Sequence, residues 1–332
     1  MRILVTGGAG FIGNHVALRL LEGGHEVLSI DNCNDYYDPA LKEARLARMK
    51  NFSAFENKKI DLSDGVGIRN LFSSFQPEEV IHLAAQAGVR YSVTHPEAYI
   101  SSNLVGFFHV LEGCRHGKVQ HLIYASSSSV YGANTSLPFS EKDPVDHPLT
   151  LYAATKRSNE VMAHAYSHLY QIPVTGLRFF TVYGPWGRPD MALFKFTKDI
   201  LEDKPIVLYN NGQMRRDFTY IDDIVSGVLA VRTCVPEATQ GKSQADRSTV
   251  APYRVYNIGN SAPVELMDYV RAIEKALGKK ARSTMAPMQQ GDVPATHANT
   301  TALQEEFHYA PHTSVEEGVR YFIKWYRDFY KV

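Results

Sequence analysis

Short apolar segments alternate with amphipathic helical segments through about the first 180 residues of this 332-residue chain. Parallel strands joined by right-handed helical crossovers have this spacing, so the alternation predicts a doubly wound parallel α/β sheet. Ligands of such sheets lie at the carboxyl ends of the strands, where the polar motifs described below fall. The predicted strands are Ile3–Thr6, Glu26–Ile30, Lys58–Asp61, Glu79–Leu83, His121–Ser126 and Pro173–Phe180, and the predicted helices are Phe11–Glu22, Gly65–Phe75, Glu97–Arg115 and Leu151–Tyr170.

The pattern loosens after about residue 180, where prolines and glycines interrupt it. Residues 220–231 and 254–259 still predict a helix and a strand that return to the main sheet. We therefore expect a main domain of residues 1–180 plus about 220–260, and a smaller C-terminal lobe of about 181–219 plus 261–332. The polar, aperiodic stretch Glu237–Ala251 is expected to be an exposed loop.

The balance of charges limits the partners of the chain. Lys plus Arg and Asp plus Glu number 35 each, so no general basic field attracts nucleic acid or an anionic membrane. The three cysteines, Cys33, Cys114 and Cys234, are far apart and predict neither a disulfide framework nor a metal site. No apolar run is long enough to cross a bilayer and no signal sequence is evident, so we expect a cytoplasmic protein.

A glycine-rich turn, Thr6–Gly13, connects the first predicted strand to the first helix. Its glycines have the spacing G-x-x-G-x-x-G, which lets backbone N–H groups at the helix N-terminus approach a pyrophosphate. Such a turn is weak evidence by itself, but Asp31 follows Gly13 by 18 residues, where an acid accepts hydrogen bonds from ribose hydroxyls. Because this acid repels a 2′-phosphate, a Rossmann-type site for NAD is predicted. Asp61, at the end of the third predicted strand, is expected near the adenine.

Tyr152 and Lys156 are four residues apart in a predicted helix and therefore share one face. A free tyrosine has a pKa near 10, which is too high for a base at neutral pH. A lysine ammonium one turn away, together with the positive nicotinamide ring, is expected to lower the pKa of Tyr152. The serines at 126–129 end a predicted strand, and one of them is expected to share a substrate oxygen with Tyr152.

These motifs, in this order, resemble the extended short-chain dehydrogenase/reductase superfamily, in particular its NDP-sugar epimerases and dehydratases. The resemblance covers nearly the whole chain and is carried by Thr6–Gly13, His82–Gln86, Ser126–Gly132, Tyr152–Lys156, Arg178–Pro185 and Arg216–Asp223. It implies the catalytic set Ser127, Tyr152 and Lys156, and a tightly bound NAD. The residues expected to bind NAD are Gly7, Gly10, Phe11, Ile12, Gly13, Asp31, Asn32, Asp61, Leu62, Leu83, Ala84, Ala85, Gln86, Ser126, Tyr152 and Lys156.

The serine run separates the reactions known in this family. Its 4,6-dehydratases carry an Asp-Glu pair where this chain has Ser128 and Ser129. A serine hydroxyl does not serve as the general acid or base of dehydration at ordinary pH. The resemblance therefore implies reversible oxidation at C4 of a UDP-sugar, and most directly an epimerase.

Several segments are similar to UDP-glucuronate 4-epimerases, among them the segment that contains Thr181 and Arg188. A C6 carboxylate favours a guanidinium partner, for which Arg188 and Arg90 are candidates. Arg216 is expected to hold the diphosphate. The full set of residues expected to bind substrate is Arg90, Ser127, Ser128, Thr181, Arg188, Arg216 and Asp292.

Three alternatives remain open at this point: a UDP-glucose or UDP-N-acetylglucosamine 4-epimerase, a UDP-glucuronate decarboxylase, and a non-catalytic NAD-binding regulator. The resemblance also implies a homodimer formed through a four-helix bundle. Its helices would be the predicted helices Glu97–Arg115 and Leu151–Tyr170, which carry wide apolar stripes.

Overall fold

The computed structural model describes residues 1–238, 248 and 250–332. Most of the loop expected at 237–251, namely 239–247 and 249, lies outside the described residues. The strands, in chain order, are β1 (Arg2–Thr6), β2 (Glu26–Asp31), β3 (Phe55–Lys59), β4 (Glu79–His82), β5 (His121–Ser127), β6 (Val174–Phe179), β7 (Thr181–Tyr183), β8 (Ile206–Tyr209), β9 (Arg215–Arg216), β10 (Phe218–Tyr220), β11 (Tyr253–Ile258), β12 (Val264–Glu265) and β13 (Ser283–Ala286).

The helices surround these strands and mostly connect them. They are α1 (Phe11–Glu22), α2 (Pro39–Ala47), α3 (Gly65–Phe75), α4 (Tyr91–Thr94), α5 (Pro96–Tyr99), α6 (Gly106–Gly117), α7 (Leu151–Tyr170), α8 (Ala192–Leu201), α9 (Ile221–Val231), α10 (Leu266–Leu277), α11 (Thr301–Phe307) and α12 (Val315–Tyr330). A π-helical segment, Ile100–Val105, precedes α6, and 3₁₀ turns occupy Ser128–Tyr131 and Asn210–Gly212.

Within the described residues, seven parallel strands form the central sheet in the order β11-β6-β5-β4-β1-β2-β3. The predicted doubly wound α/β fold is confirmed. Helices cover both faces of this sheet, so its central strands are buried on both sides. Successive residues of β1 accordingly pack in different hydrophobic clusters, Ile3 and Val5 in one and Leu4 in the other.

The third strand differs from the prediction. We expected Lys58–Asp61, whereas β3 is Phe55–Lys59, and Asp61 lies two residues beyond its end. Because β3 is an edge strand of polar and half-buried residues, its position is set by pairing with β2 and not by hydrophobicity.

The helix expected at Glu97–Arg115 is also interrupted. Its middle is the π-helical segment, in which the buried side chain of Asn103 accepts from the Gln86 N–H at 2.8 Å and donates to the Gln86 carbonyl at 3.0 Å. Segments of this kind occur frequently at functional sites. Here the π-helical segment fixes the backbone that follows β4.

The second half of the chain returns to the sheet as expected, since β11 pairs with β6 and α9 packs against α1. The other strands of this half form small two-stranded sheets, β7 with β10, β9 with β12 and β8 with β13. Among the described residues, no helix combines the length and the apolar character needed to span a membrane.

Candidate active site

A cavity of about 740 Å³ opens at the carboxyl ends of the central strands. Its volume is in the range of ordinary ligand pockets. All residues assigned from the sequence to cofactor or substrate line this one cavity: Gly7, Gly10, Phe11, Ile12, Gly13, Asp31, Asn32, Asp61, Leu62, Leu83, Ala84, Ala85, Gln86, Arg90, Ser126, Ser127, Ser128, Tyr152, Lys156, Thr181, Arg188, Arg216 and Asp292.

The glycine turn at one end of the cavity has no room for side chains. Gly7 has φ +78°, and a Cβ on Gly7 would lie 2.8 Å from the Ala84 backbone nitrogen. A Cβ on Gly13 would lie 2.1 Å from the Gly7 carbonyl oxygen. Gly10 precedes α1 without any side chain to cap it, so the N-terminus of α1 faces the cavity as a site for an anion.

The two acids beside the turn have different roles. Asp31 Oδ2 accepts from the Ala9 N–H at 3.2 Å and its Oδ1 accepts from the Cys33 N–H at 2.8 Å, which joins the end of β2 to the turn. Asp61 accepts from the Asn32 amide at 2.7 Å. Burial acts to raise the pKa of Asp61, but hydrogen bonds from Asn32 and Ser63 outweigh it and hold that pKa below its usual value.

Tyr152 and Lys156 lie in the first turns of α7, whose N-cap is Thr150. Lys156 Nζ donates to the Ala125 carbonyl at 2.8 Å, and burial lowers the pKa of Lys156 to about 8. Burial raises the pKa of Tyr152, opposed by a hydrogen bond with Ser127 and by the charge of Arg188. In the protein alone, burial thus opposes the lowering of the Tyr152 pKa expected from Lys156 and the nicotinamide ring. That expectation includes the charge of NAD and stays a prediction.

The serine run divides its hydroxyls between two environments. Ser126 Oγ donates to Glu160 Oε1 at 2.6 Å, and Glu160 is held by Arg178 through two hydrogen bonds of 2.9 Å. Ser127 accepts from the Ser129 N–H at 3.2 Å and hydrogen-bonds Tyr152. Adjacent residues of a strand point to opposite faces, so only Ser127 of this pair meets Tyr152. Ser126, assigned to the cofactor from the sequence, lines the cavity as well, and its partner Glu160 was not assigned.

The charge of Arg188 acts to lower the pKa of Tyr152, and both residues line the cavity. Arg188 Nε donates to Asp190 Oδ1 at 3.0 Å, and the Tyr36 hydroxyl donates to Asp190 Oδ2 at 3.2 Å. Burial acts to raise the pKa of Asp190, but Arg188 outweighs it and holds that pKa below its usual value. Tyr36 and Asp190 were not assigned from the sequence, although Asp190 follows Arg188 by only two residues.

Arg216 and Asp292 face each other across another part of the cavity wall. Arg216 Nη2 donates to Asp292 Oδ1 at 2.8 Å and to the Val293 carbonyl at 2.6 Å. The Arg90 guanidinium lies 5.0 Å from the centre of the Tyr209 ring. Burial lowers the pKa of Arg216, and the positive charge of Arg90 lowers it further. Arg90 and Arg216 thus line the same cavity and their charges repel, whereas the sequence had offered Arg90 as a partner for a C6 carboxylate.

The arrangement matches a known family. A sequence profile of the NAD dependent epimerase/dehydratase family matches residues 3–259. The chain belongs to this family. NAD dependence and the fold expected from the sequence are thereby confirmed.

Named UDP-glucuronate 4-epimerases are similar to this chain over nearly its whole length. A probable UDP-glucuronate 4-epimerase of Rhizobium meliloti (strain 1021) is 49% identical over 100% of this chain and 98% of its own length. UDP-glucuronate 4-epimerase 4 of Arabidopsis thaliana is 48% identical over 99% of this chain and 76% of its own length.

A solved structure of the same family is similar in fold. The UDP-glucuronic acid 4-epimerase from Bacillus cereus, in complex with UDP-glucuronic acid and NAD, superposes with a TM-score of 0.89 at 32% identity. The match covers 99% of this chain and 100% of that one.

Proposed function

We propose that this protein is an NAD-dependent UDP-sugar 4-epimerase that interconverts UDP-glucuronate and UDP-galacturonate through a transient 4-keto intermediate. The observation that carries the proposal is the convergence of Ser127, Tyr152, Lys156 and Arg188 on one cavity, beside a glycine turn suited to a pyrophosphate. The names of the Rhizobium meliloti and Arabidopsis thaliana relatives support the same activity.

The residues present fit NAD. The Cβ-free surfaces of Gly7 and Gly13 and the N-terminus of α1 suit its pyrophosphate, and Asp31 suits the ribose hydroxyls of its adenosine. When bound, NAD⁺ supplies a hydride acceptor and donor at C4 and a positive charge that favours the Tyr152 phenolate. Because the reaction consumes no net reductant or oxidant, we expect the cofactor to stay bound between turnovers.

Tyr152 is the proposed base for the O4 proton, and Ser127 shares a hydrogen bond with the same oxygen. Burial raises the pKa of Tyr152. The phenolate that accepts the O4 proton is therefore populated near neutral pH only when a positive charge lies beside it. The sugar turns about its diphosphate linkage before Tyr152 returns the proton to O4. Lys156, hydrogen-bonded to the Ala125 carbonyl, holds its ammonium beneath this region.

A 4-keto uronate is a β-keto acid, which loses CO₂ when its C5–C6 bond aligns with the carbonyl π system. We assign Thr181 and Arg188 to hold the C6 carboxylate out of that alignment. Arg188 is itself oriented by Asp190, whose other oxygen accepts from Tyr36. A guanidinium fixed in this way is suited to a directional contact with a carboxylate.

The diphosphate is assigned to the opposite part of the cavity wall, where Arg90 and Arg216 are neighbours. Asp292 keeps Arg216 in place through a hydrogen bond of 2.8 Å. The division into an NAD-binding domain (1–180 plus about 220–260) and a sugar-nucleotide lobe (about 181–219 plus 261–332) stays part of this proposal.

A homodimer is also part of the proposal. The π-helical segment, α6 and α7 lie side by side and expose large apolar side chains that the monomer leaves in solvent. These exposed residues are Ile100, Val105, Phe108, Val161, Leu169 and Tyr170. A contiguous apolar face of this kind favours association with a second copy.

Turnover of UDP-glucuronate compared with UDP-glucose tests the assignment. We expect UDP-galacturonate from the first substrate and much slower turnover of the second. Faster turnover of UDP-glucose supports the neutral-sugar alternative, and UDP-pentose as the main product supports a decarboxylase. No product and no NADH absorbance with either substrate supports a non-catalytic regulator.

A further inference from the structure

The Arg45 side chain of α2 is fully buried and contacts two separate walls of the active-site region. Its Nη1 donates to the Ala9 carbonyl, in the glycine turn, at 3.1 Å. Its Nη2 donates to the Trp186 carbonyl at 2.7 Å and to the Gly187 carbonyl at 3.1 Å. Trp186 and Gly187 directly precede Arg188, so one guanidinium joins the glycine turn to the segment that carries Arg188.

Ala9 is held from both of its peptide groups. Its N–H donates to Asp31 Oδ2 at 3.2 Å, while its carbonyl accepts from Arg45. Asp31 is the acid assigned to the ribose of NAD. Arg45 and Asp31 therefore position the same residue of the turn, one from each side.

The charge of Arg45 has no carboxylate partner in an ion pair anywhere in the described part of the chain. Its acceptors are the three carbonyls and the Tyr37 hydroxyl, which lies 2.6 Å from Nη1. A guanidinium stays protonated in proteins, and burying it without an anion is costly. A neutral side chain could link two loops at lower cost. A fixed positive charge directly behind a turn that receives a diphosphate offsets that cost when the anion is present.

We infer that Arg45 is a positioning residue that couples the binding of NAD at the glycine turn to the placement of Arg188 on the substrate side. This inference rests on the proposed use of the cavity for NAD and a UDP-sugar. Without the guanidinium, the turn loses a hydrogen bond and a nearby charge, and the Trp186–Gly187 segment loses its attachment to α2. Both binding steps are then weakened by one substitution at a residue that does not line the cavity.

The test is the variant Arg45→Met, compared with Arg19→Met on α1, where Arg19 is exposed and pairs with Glu22. Three quantities are measured: the Kd for NAD by equilibrium dialysis, and the KM and kcat for the UDP-sugar at saturating NAD. We expect Arg45→Met to raise the Kd for NAD by about tenfold or more, and to raise KM and lower kcat by at least about threefold even with NAD saturating. Arg19→Met should match the wild type in all three.

Each other outcome overturns the inference. Full recovery of KM and kcat at saturating NAD means that Arg45 acts on the cofactor alone. An unchanged Kd for NAD means that it acts on the substrate segment alone. A lower melting temperature with unchanged Kd, KM and kcat means that its role is structural.

If Arg45→Met does not fold, Arg45→Lys keeps the charge but loses the fork of donors that reaches both loops, and should shift Kd, KM and kcat in the same direction by a smaller factor. The assay uses whichever UDP-sugar the wild type turns over. Failure of the uronate assignment is then seen in the wild type, separately from the behaviour of Arg45.

Discussion

Ser126 Oγ lies 2.6 Å from Glu160 Oε1, whereas the hydroxyl of the next residue, Ser127, hydrogen-bonds Tyr152. Glu160 is buried and also accepts two hydrogen bonds from the Arg178 guanidinium. The Ser126 hydroxyl thus belongs to a buried ionic network, although Ser126 also lines the cavity, whereas the Ser127 hydroxyl meets Tyr152. Two neighbouring serines therefore have separable effects.

Ser127→Ala should lower kcat by about 10²–10⁴-fold, because it removes a hydrogen bond to the reacting oxygen and to Tyr152. Ser126→Ala should change kcat by much less and lower the free energy of unfolding by about 1–3 kcal/mol, because a bond to a buried carboxylate is lost. Steady-state kinetics and urea unfolding of both variants check this. A larger loss of kcat in Ser126→Ala would contradict the division.

Lys156→Met should abolish most activity yet stabilise the fold near pH 7. Burial lowers the pKa of Lys156 from 10.5 to about 8, so the folded state disfavours the ammonium that the unfolded chain keeps. At about 1.4 kcal/mol per pKa unit, this shift lowers the free energy of unfolding of the wild type by roughly 3 kcal/mol below pH 8. The hydrogen bond to the Ala125 carbonyl offsets about 1 kcal/mol of that loss.

The unfolded state binds more protons than the folded state between pH 8 and pH 10.5, so wild-type stability relative to Lys156→Met should rise across that range. Denaturant unfolding without added NAD, from pH 6 to pH 10, measures the stability gap, which is the free energy of unfolding of Lys156→Met minus that of the wild type. The exposed Lys50→Met is the control. A gap that is absent at pH 7, or that widens with rising pH, is inconsistent with the burial of Lys156.

Asp31→Asn should weaken the binding of NAD by about 1–2 kcal/mol. It should also reduce the preference for NAD over NADP, because the amide no longer repels a 2′-phosphate. The hydrogen bond that the Ala9 N–H donates to the carboxylate is weakened as well. Binding of both cofactors is measured by calorimetry, with Asp35→Asn, exposed on the same loop and outside the cavity, as the control. An unchanged ratio of the two affinities would argue against a ribose contact at Asp31.

Thr181→Ala should release UDP-pentose products from UDP-glucuronate, because the carboxylate is then free to align for loss of CO₂. Thr197→Ala, at a buried position of α8 outside the cavity, should stay free of them. Mass spectrometry of the products separates the two outcomes. Clean UDP-galacturonate from both variants would refute the assigned role of Thr181.

Phe108→Glu combined with Val161→Glu should convert a dimer to monomers, because both side chains lie on the exposed apolar face of α6 and α7. Val66→Glu changes an equally exposed valine on α3 and should leave the assembly intact. Sedimentation velocity measures the mass of each. A wild-type monomer, or a dimer that survives the double substitution, excludes this interface.

The sequence predicted the parallel sheet because its central strands are continuous apolar runs, and buried runs of this kind can be recognised by composition. It misplaced β3, because an edge strand such as Phe55–Lys59 is located by pairing with β2 and carries polar side chains. It also missed the π-helical segment, which depends on hydrogen bonds of Asn103 to the distant Gln86 backbone.

The cavity residues were found because their motifs are local: a glycine turn, a strand-end acid and a tyrosine–lysine pair on one helix face. The partners that orient them were not. Asp190 and Tyr36 meet only in the folded chain, and so do Glu160 and Ser126. The burial of Tyr152, which raises its pKa in the protein alone, could not be read from the four-residue spacing to Lys156 either.

The most direct test of the proposed epimerase is incubation with UDP-glucuronate deuterated at C4, with the products followed by NMR. The proposed mechanism predicts UDP-galacturonate that keeps its deuterium at C4, since the same hydride is removed and returned. Deuterium lost from C4 to solvent, or no UDP-galacturonate at all, would contradict it.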